Sequence, residues 1–153
     1  MTAGRPIDGH GIRVEIPVGW DGRLRKAAAI EATSSSRPVV HTASFALPEE
    51  RGDFGGGAVE LMTARDVFVA LVEYEPASAS TALFAAEGMP RNLAAEGFQP
   101  NALQRVIAGQ LGGQWFFHER GRAFCLYVVI GSRGYLGTAI GEVNRLLATV
   151  TIE

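Results

Sequence analysis

The stretch GQWFFHERGRAFCLYVVI, residues 113–130, carries the strongest fold signal in this 153-residue chain. Two strand-like runs, Gly113 to Glu119 and Arg122 to Ile130, flank the dipeptide Arg120-Gly121. A two-residue connection that contains glycine is typical of a β-hairpin, because glycine readily adopts the positive φ angles that such a turn needs. The stretch therefore predicts two antiparallel strands within a mainly antiparallel sheet.

A second apolar run, VFVALVEY from Val67 to Tyr74, predicts a central strand. Its length and its three valines favour a strand that is covered on both faces. A helix is the alternative, because Thr63 and Asp66 have the spacing of a capping box. We predict the strand, and its two covered faces imply helices on both sides of the sheet.

The clearest helix signal follows the predicted hairpin. Leu136, Ile140, Val143 and Leu147 recur at helical spacing and form one apolar stripe. The pattern therefore predicts a helix from Leu136 to Leu147, followed by a short terminal strand over residues 150–152.

Weaker patterns complete the predicted fold. Strands are predicted at Ile12–Ile16, Arg23–Ile30 and Val39–Leu47, and short helices at 58–62, 81–87 and 101–107. We therefore predict one α+β domain over residues 1–153, a sandwich with a mainly antiparallel sheet of about six strands and helices on both faces.

Composition excludes several functional classes. Hydrophobic residues make up 47% of the chain, charged residues make up 20%, and the formal net charge is −2. Nucleic-acid-binding surfaces usually show a clear basic excess, so we predict no nucleic-acid partner. The single cysteine, Cys125, cannot form an intramolecular disulfide or a multi-cysteine zinc site.

Segments that would direct the chain to a membrane are not evident. The longest strongly apolar run, Phe124 to Ile130, is far shorter than the roughly 20 residues that a membrane-spanning helix needs. Residues Met1 to Pro6 lack the apolar run of a signal peptide. We therefore expect a cytoplasmic protein without membrane insertion.

The basic residues are almost all arginine: thirteen arginines accompany a single lysine, Lys26. A GC-rich genome explains such a bias, because arginine codons are GC-rich. The functional alternative is an anion-binding surface, since guanidinium groups suit carboxylates and phosphates.

The segment from Ile12 to Trp20, IRVEIPVGW, resembles the opening of PsbP-like domains, in which a strand leads into proline and a glycine-tryptophan pair. This fold is shared by the Ran-binding protein Mog and by LpqN-type bacterial lipoproteins. The resemblance extends to the element order: an N-terminal hairpin, a middle sheet, a late helix and a last strand. It implies a PsbP-like sandwich and a non-enzymatic module that binds other proteins, and it transfers no binding or metal-ligating residues.

Residues with catalytic potential are few. His10, His41 and His118 lie too far apart for a local metal motif. His118 and Glu119 would be a general-base pair, but neighbours on a strand point to opposite faces. Cys125 would be a nucleophile, but it lies within a predicted strand, where cysteine packs as a small hydrophobic side chain. We predict no catalytic residue, no metal site and no cofactor.

Two further features have a functional and a structural interpretation. Gly55-Gly56-Gly57 could offer backbone N–H groups to an anion, but Asp53 would repel phosphate, and a flexible or positive-φ loop is the favoured interpretation. Glu73 could be a buried functional acid, although a strand-end carboxylate that reaches solvent is more common.

Four residues are candidates for binding a partner: Trp20, Arg120, Arg122 and Arg133. The arginines lie at the predicted hairpin tip and in a later loop, where they would recognise an acidic partner or remain solvated. Trp20 follows a turn, where tryptophan either fills the core or anchors a partner.

The leading hypothesis is a non-catalytic protein-binding or structural accessory subunit of a bacterial assembly. The alternative is a small-molecule-binding protein or enzyme with a cleft under residues 76–101, because long irregular loops in compact domains are often functional. A third hypothesis is self-association through the edge of the terminal strand.

Overall fold

The computed structural model describes residues 4–26 and 37–153, which form two antiparallel sheets and one α-helix. The strands are β1 (Arg5–Gly9), β2 (Ile12–Ile16), β3 (Asp21–Lys26), β4 (Pro38–Ala43), β5 (Val67–Tyr74), β6 (Leu111–Glu119), β7 (Arg122–Ile130) and β8 (Thr151–Ile152), and the helix is α1 (Leu136–Leu147). One sheet has the order β3-β4-β5-β7-β6, and the other has the order β1-β2-β8.

The predicted hairpin at residues 113–130 is confirmed. Glu119 pairs with Arg122 across a two-residue turn, in which Arg120 has a φ of 52° and Gly121 a φ of 75°. The strand prediction for residues 67–74 is also confirmed: β5 pairs with β4 on one side and β7 on the other, and all its residues except Tyr74 are buried. α1 has the predicted bounds, with its apolar stripe turned to the core.

One face of the five-stranded sheet packs against α1 and the three-stranded sheet. The alternating residues of β2 point inward, as the sequence pattern predicts, and meet the apolar stripe of α1. The buried side chains of this layer include Ile12, Val14, Ile16, Val69, Leu71, Phe124, Leu126, Val128, Ala139, Val143 and Leu147.

The opposite face overturns the predicted fold class. It is covered by irregular chain from residues 44–62 and 103–107, which packs on Phe68, Tyr127 and their neighbours. The described residues contain eight strands in two sheets and one α-helix, so the prediction of about six strands with helices on both faces was wrong.

The missing helices have a physical cause. The segments predicted as helices at 58–62, 81–87 and 101–107 are not α-helical, and they overlap only the 3-10 turns Val59–Leu61, Ala82–Phe84 and Pro100–Ala102. The first turn of a helix fixes several residues for one hydrogen bond, so segments of only five to seven residues, here flanked by Gly57, Gly88 or Pro100, seldom form helices. The chain forms turns in these segments, and the turns still bury apolar side chains such as Val59, Phe84 and Leu103.

The N-terminal strands are arranged differently from the prediction. β1 was not predicted, because Arg5–Gly9 is short, largely polar and contains Pro6, a residue that edge strands tolerate. β2 pairs with β1 and β3 pairs with β4, so the turn after β2 is a corner between two sheets. Residues 27–30 of the predicted strand Arg23–Ile30 lie outside the described residues.

The first prediction concerns Gly131, where two backbone segments approach each other closely. A Cβ atom at this position would lie 2.0 Å from the carbonyl oxygen of Thr63. We therefore expect Gly131→Ala to lower the free energy of unfolding by about 2 kcal/mol, because backbone must move. Urea denaturation measures the change.

The control for this prediction is Gly137→Ala, within α1. A Cβ atom at Gly137 meets no heavy atom within 4 Å, so the substitution should raise the free energy of unfolding by up to about 1 kcal/mol. Equal effects of the two substitutions would contradict the close contact at Gly131.

Candidate functional site

Trp20 lies beside a surface groove between β2 and the C-terminal half of α1. Its backbone N–H donates to the carbonyl oxygen of Pro17 at 3.0 Å, which closes the turn before β3. The indole is partly buried, packs against the core and also lines the groove, so its role in binding a partner stays a prediction. The groove measures about 230 Å³ and is lined by Gly4, Glu15, Pro17, Trp20, Glu142, Arg145, Leu146 and Thr149.

Charged groups surround the indole in this groove. Glu142 accepts a hydrogen bond from the hydroxyl of Tyr135 at 2.6 Å, and this bond raises the pKa of Tyr135. Arg145 is exposed, and among the described residues it forms no ion pair within 4 Å. The groove therefore combines one aromatic wall with carboxylates and a free guanidinium group.

Arg122 is held by contacts within the protein. Its guanidinium forms a bidentate ion pair with Glu73, with Nε–Oε2 and Nη2–Oε1 distances of 3.0 and 2.7 Å. It also donates to the backbone carbonyls of His10 and Glu153, both at 2.9 Å, and it lies 5.2 Å from the Phe124 ring centroid. Arg122 therefore connects the two sheets.

Arg120 and Arg133 are both exposed, but they lie far apart. Arg120 is in the turn that precedes β7, whereas Arg133 follows the other end of that strand. Nine strand residues separate the two ends by roughly 27 Å. Arg120, Arg122 and Arg133 therefore do not form one common surface. The role of each in binding a partner stays a prediction.

His41 is fully buried with both ring nitrogens occupied. Its Nδ1 accepts from Arg51 Nε at 2.7 Å, and its Nε2 donates to the Asp53 carbonyl oxygen at 2.8 Å. Burial and the nearby charges of Arg51 and Arg25 lower its pKa to about 4. This neutral histidine anchors the chain at residues 51–53 to β4.

The other residues with catalytic potential also serve the fold. Burial raises the pKa of the Cys125 thiol to about 12, so at neutral pH it is not a thiolate. His118 Nδ1 donates to the Phe84 carbonyl oxygen at 2.6 Å. The Glu119 carboxylate accepts a hydrogen bond from the Met89 N–H. His118 and Glu119, neighbours on β6, therefore both hold the segment that contains Phe84 and Met89.

The glycine run at 55–57 forms a turn rather than an exposed anion site. Gly55 and Gly57 have φ values of 87° and 94°, which agrees with the positive-φ interpretation. The Gly57 N–H donates to the Glu60 carboxylate at 2.8 Å, so a side chain of the protein already occupies this donor.

Residues 76–101 wrap around the β6 edge and reach α1. Leu93 exchanges two hydrogen bonds with the Asn144 side chain, and Gln99 exchanges two with the backbone of Gly112. Met89, from this segment, lines a core cavity of about 20 Å³, which has room for about one water molecule. A ligand in that cavity would require the segment to move.

Two smaller findings concern surfaces and ions. β8 pairs only with β2 and is an edge of its sheet, so self-association there stays a prediction.

Across residues 4–26 and 37–153, no helix is long and apolar enough to cross a membrane, and no group of three histidine, cysteine or acidic side chains is placed to hold a metal ion.

Sequence reasoning found Trp20 but missed Glu142, Arg145 and Thr149, which complete the groove. At helical spacing, Glu142 and Arg145 fall on the face of α1 opposite its apolar stripe. Their proximity to Trp20 depends on how α1 packs on β2, which the sequence pattern does not specify.

Comparison with known proteins gives no relative from which to transfer a function. No family model, curated protein or solved structure matches the chain. The resemblance to PsbP-like domains therefore stays a prediction.

Proposed function

We propose that this protein is a non-catalytic protein-binding or accessory module, and that its partner inserts side chains into the groove at Trp20. The groove itself carries the proposal. Tryptophan and arginine are the residues most enriched at the energetic centres of protein interfaces, and here Trp20 and Arg145 line one groove.

The size and chemistry of the groove support a protein partner. Its volume of about 230 Å³ is below the roughly 300–1,000 Å³ of typical small-molecule sites. Apolar surface from Trp20 and Leu146 lies beside the charged ends of Glu15 and Arg145, an arrangement typical of an interface with a polar rim. The structural hydrogen bonds of His41 and His118 also support a binding role over catalysis.

The test compares capture of a partner from native lysate by the wild type and by groove variants. We expect Trp20→Ala and Arg145→Glu to reduce capture of the same protein at least about tenfold, which corresponds to the loss of one interface centre. Arg105→Glu, at another exposed arginine, is the matched control and should leave capture unchanged.

A second measurement reports on the groove directly. The Trp115→Phe variant leaves Trp20 as the sole tryptophan, so the captured partner should shift its fluorescence emission. Capture that both groove variants retain in full, or a strictly monomeric protein that captures nothing, would overturn the proposal.

A further inference from the structure

A second groove lies at the N-terminal end of α1. It measures about 520 Å³ and is lined by Ala64, Arg65, Ser132, Gly134, Tyr135 and Thr138. The turn before β5 forms one wall, and the chain between β7 and α1 forms the other. The Ser132 hydroxyl joins the two walls, because it donates to the Ala64 carbonyl oxygen at 2.7 Å. The lining is largely polar, and Arg65 gives it a positive charge.

The second groove continues into the groove at Trp20 along the exposed side of α1. Thr138 lines the second groove, whereas Glu142 and Arg145 line the groove at Trp20. These three residues are four and three positions apart, so they lie on one face of the helix. The Tyr135 hydroxyl of the second groove donates to Glu142 at 2.6 Å and connects the two grooves. A ligand along this face would contact both.

Three arginines border this face without an ion pair. Arg65, Arg133 and Arg145 are exposed, and among residues 4–26 and 37–153 none of them forms an ion pair within 4 Å. In the chain, Arg133 lies between two lining residues of the second groove. The Arg145 side chain turns toward the N-terminal end of α1, since a Cβ atom at Gly141 would lie 3.5 Å from its Nη1.

The carboxylates near these arginines have partners of their own, with one exception. Asp66 accepts three hydrogen bonds from neighbouring side-chain and backbone groups, at 2.8 to 3.0 Å. Glu142 accepts the bond from the Tyr135 hydroxyl. Glu15 lies on β2, on the other wall of the groove at Trp20. The face therefore presents three guanidinium groups without carboxylate partners, whereas Asp66 and Glu142 already hold donors.

We propose that the two grooves together bind one acidic peptide segment of a partner protein, with its carboxylates at Arg65 and Arg145. This inference rests on the proposed function, because it specifies the chemistry of the partner that docks at Trp20. Guanidinium groups bind carboxylates through two parallel hydrogen bonds, and complementary charge selects the partner. The lining residues Thr138 to Thr149 extend about 16 Å along the helix, the length of roughly five extended residues.

The first test titrates the full-length chain with capped hexaglutamate and follows its backbone amide signals by NMR. We expect saturable shifts at Arg65, Thr138 and Arg145, and added sodium chloride should weaken the binding. Capped hexalysine is the control peptide and should shift none of these signals. The absence of a saturable shift with hexaglutamate, or an equal response to hexalysine, overturns the proposal.

Charge-reversal variants check the two arginines. Arg65→Glu and Arg145→Glu replace attraction by repulsion, so each should weaken hexaglutamate binding at least about fivefold. Arg120→Glu, in the exposed β6–β7 turn, is the matched control and should bind as the wild type does. Unchanged affinity in both groove variants overturns the proposal.

Partner capture separates this inference from the proposed function. Reduced capture by both Trp20→Ala and Arg65→Glu supports the two together. If Trp20→Ala reduces capture and Arg65→Glu does not, the acidic segment is refuted and the groove at Trp20 keeps its function. If Trp20→Ala captures the partner in full while hexaglutamate still binds at Arg65 and Arg145, only the proposed role of Trp20 fails.

Discussion

Replacing Arg122 with methionine is expected to lower the free energy of unfolding by about 3–5 kcal/mol. The side chain of Glu73 is only 6% exposed, and Arg122 is its ion-pair partner. The substitution leaves the Glu73 carboxylate buried without a compensating charge. It also removes the donors to the carbonyl oxygens of His10 and Glu153. Urea denaturation at neutral pH measures the loss.

Two further variants separate the ion pair from its surroundings. Arg120→Met, two residues away in the exposed turn, is the matched control and should change stability by no more than about 0.5 kcal/mol. The double variant Arg122→Met with Glu73→Leu should recover part of the loss, because it removes the unpaired charge. A loss below about 1 kcal/mol for Arg122→Met alone would refute this account.

Acid is expected to destabilise the protein through His41. Its pKa is about 4 in the folded state and about 6.5 when unperturbed. As the pH falls below about 6.5, the unfolded chain takes up a proton that the folded chain does not bind until about pH 4. The unfolded state then holds more protons, so stability decreases over this window by about 3 kcal/mol in total.

The measurement is the free energy of unfolding at several pH values between 7 and 4. His41→Gln should remove this part of the pH dependence, because glutamine does not titrate, even if its stability at pH 7 is lower. His10→Gln, in an exposed turn, should keep the wild-type slope. Identical slopes for wild type and His41→Gln would rule out His41 as the source.

The elements predicted most accurately from the sequence are those with long, regular patterns of apolar residues. β5, β7 and α1 have the predicted bounds, because each combines a long apolar pattern with clear boundary residues. The glycine of the Arg120-Gly121 turn was sufficient to place the hairpin. These signals act between residues that are close in sequence.

The predictions failed where distant segments determine the structure. Residues 44–62 cover one face of the five-stranded sheet without forming an α-helix. Leu47 and Val59 are buried against this face from irregular chain and a 3-10 turn. The pairing of β1 with β2, and not of β2 with β3, depends on the packing of two sheets. A pattern with a period of two predicts a strand but does not identify its partner.

The candidate sites show the same limit. Trp20 and Arg122 were singled out from their turns, but the groove beside one and the buried partner of the other come from residues far away in sequence.

The pairing of β2 with β8 has a consequence for the order of folding. Ile12 meets Ile152, so this ladder closes a loop of almost the whole chain, whereas the β6–β7 hairpin closes a loop of two residues. Closing a longer loop costs more chain entropy, and such contacts slow folding. The five-stranded sheet should therefore assemble first, and the zipping of β2 with β8 should be the late step that commits the chain to its native state.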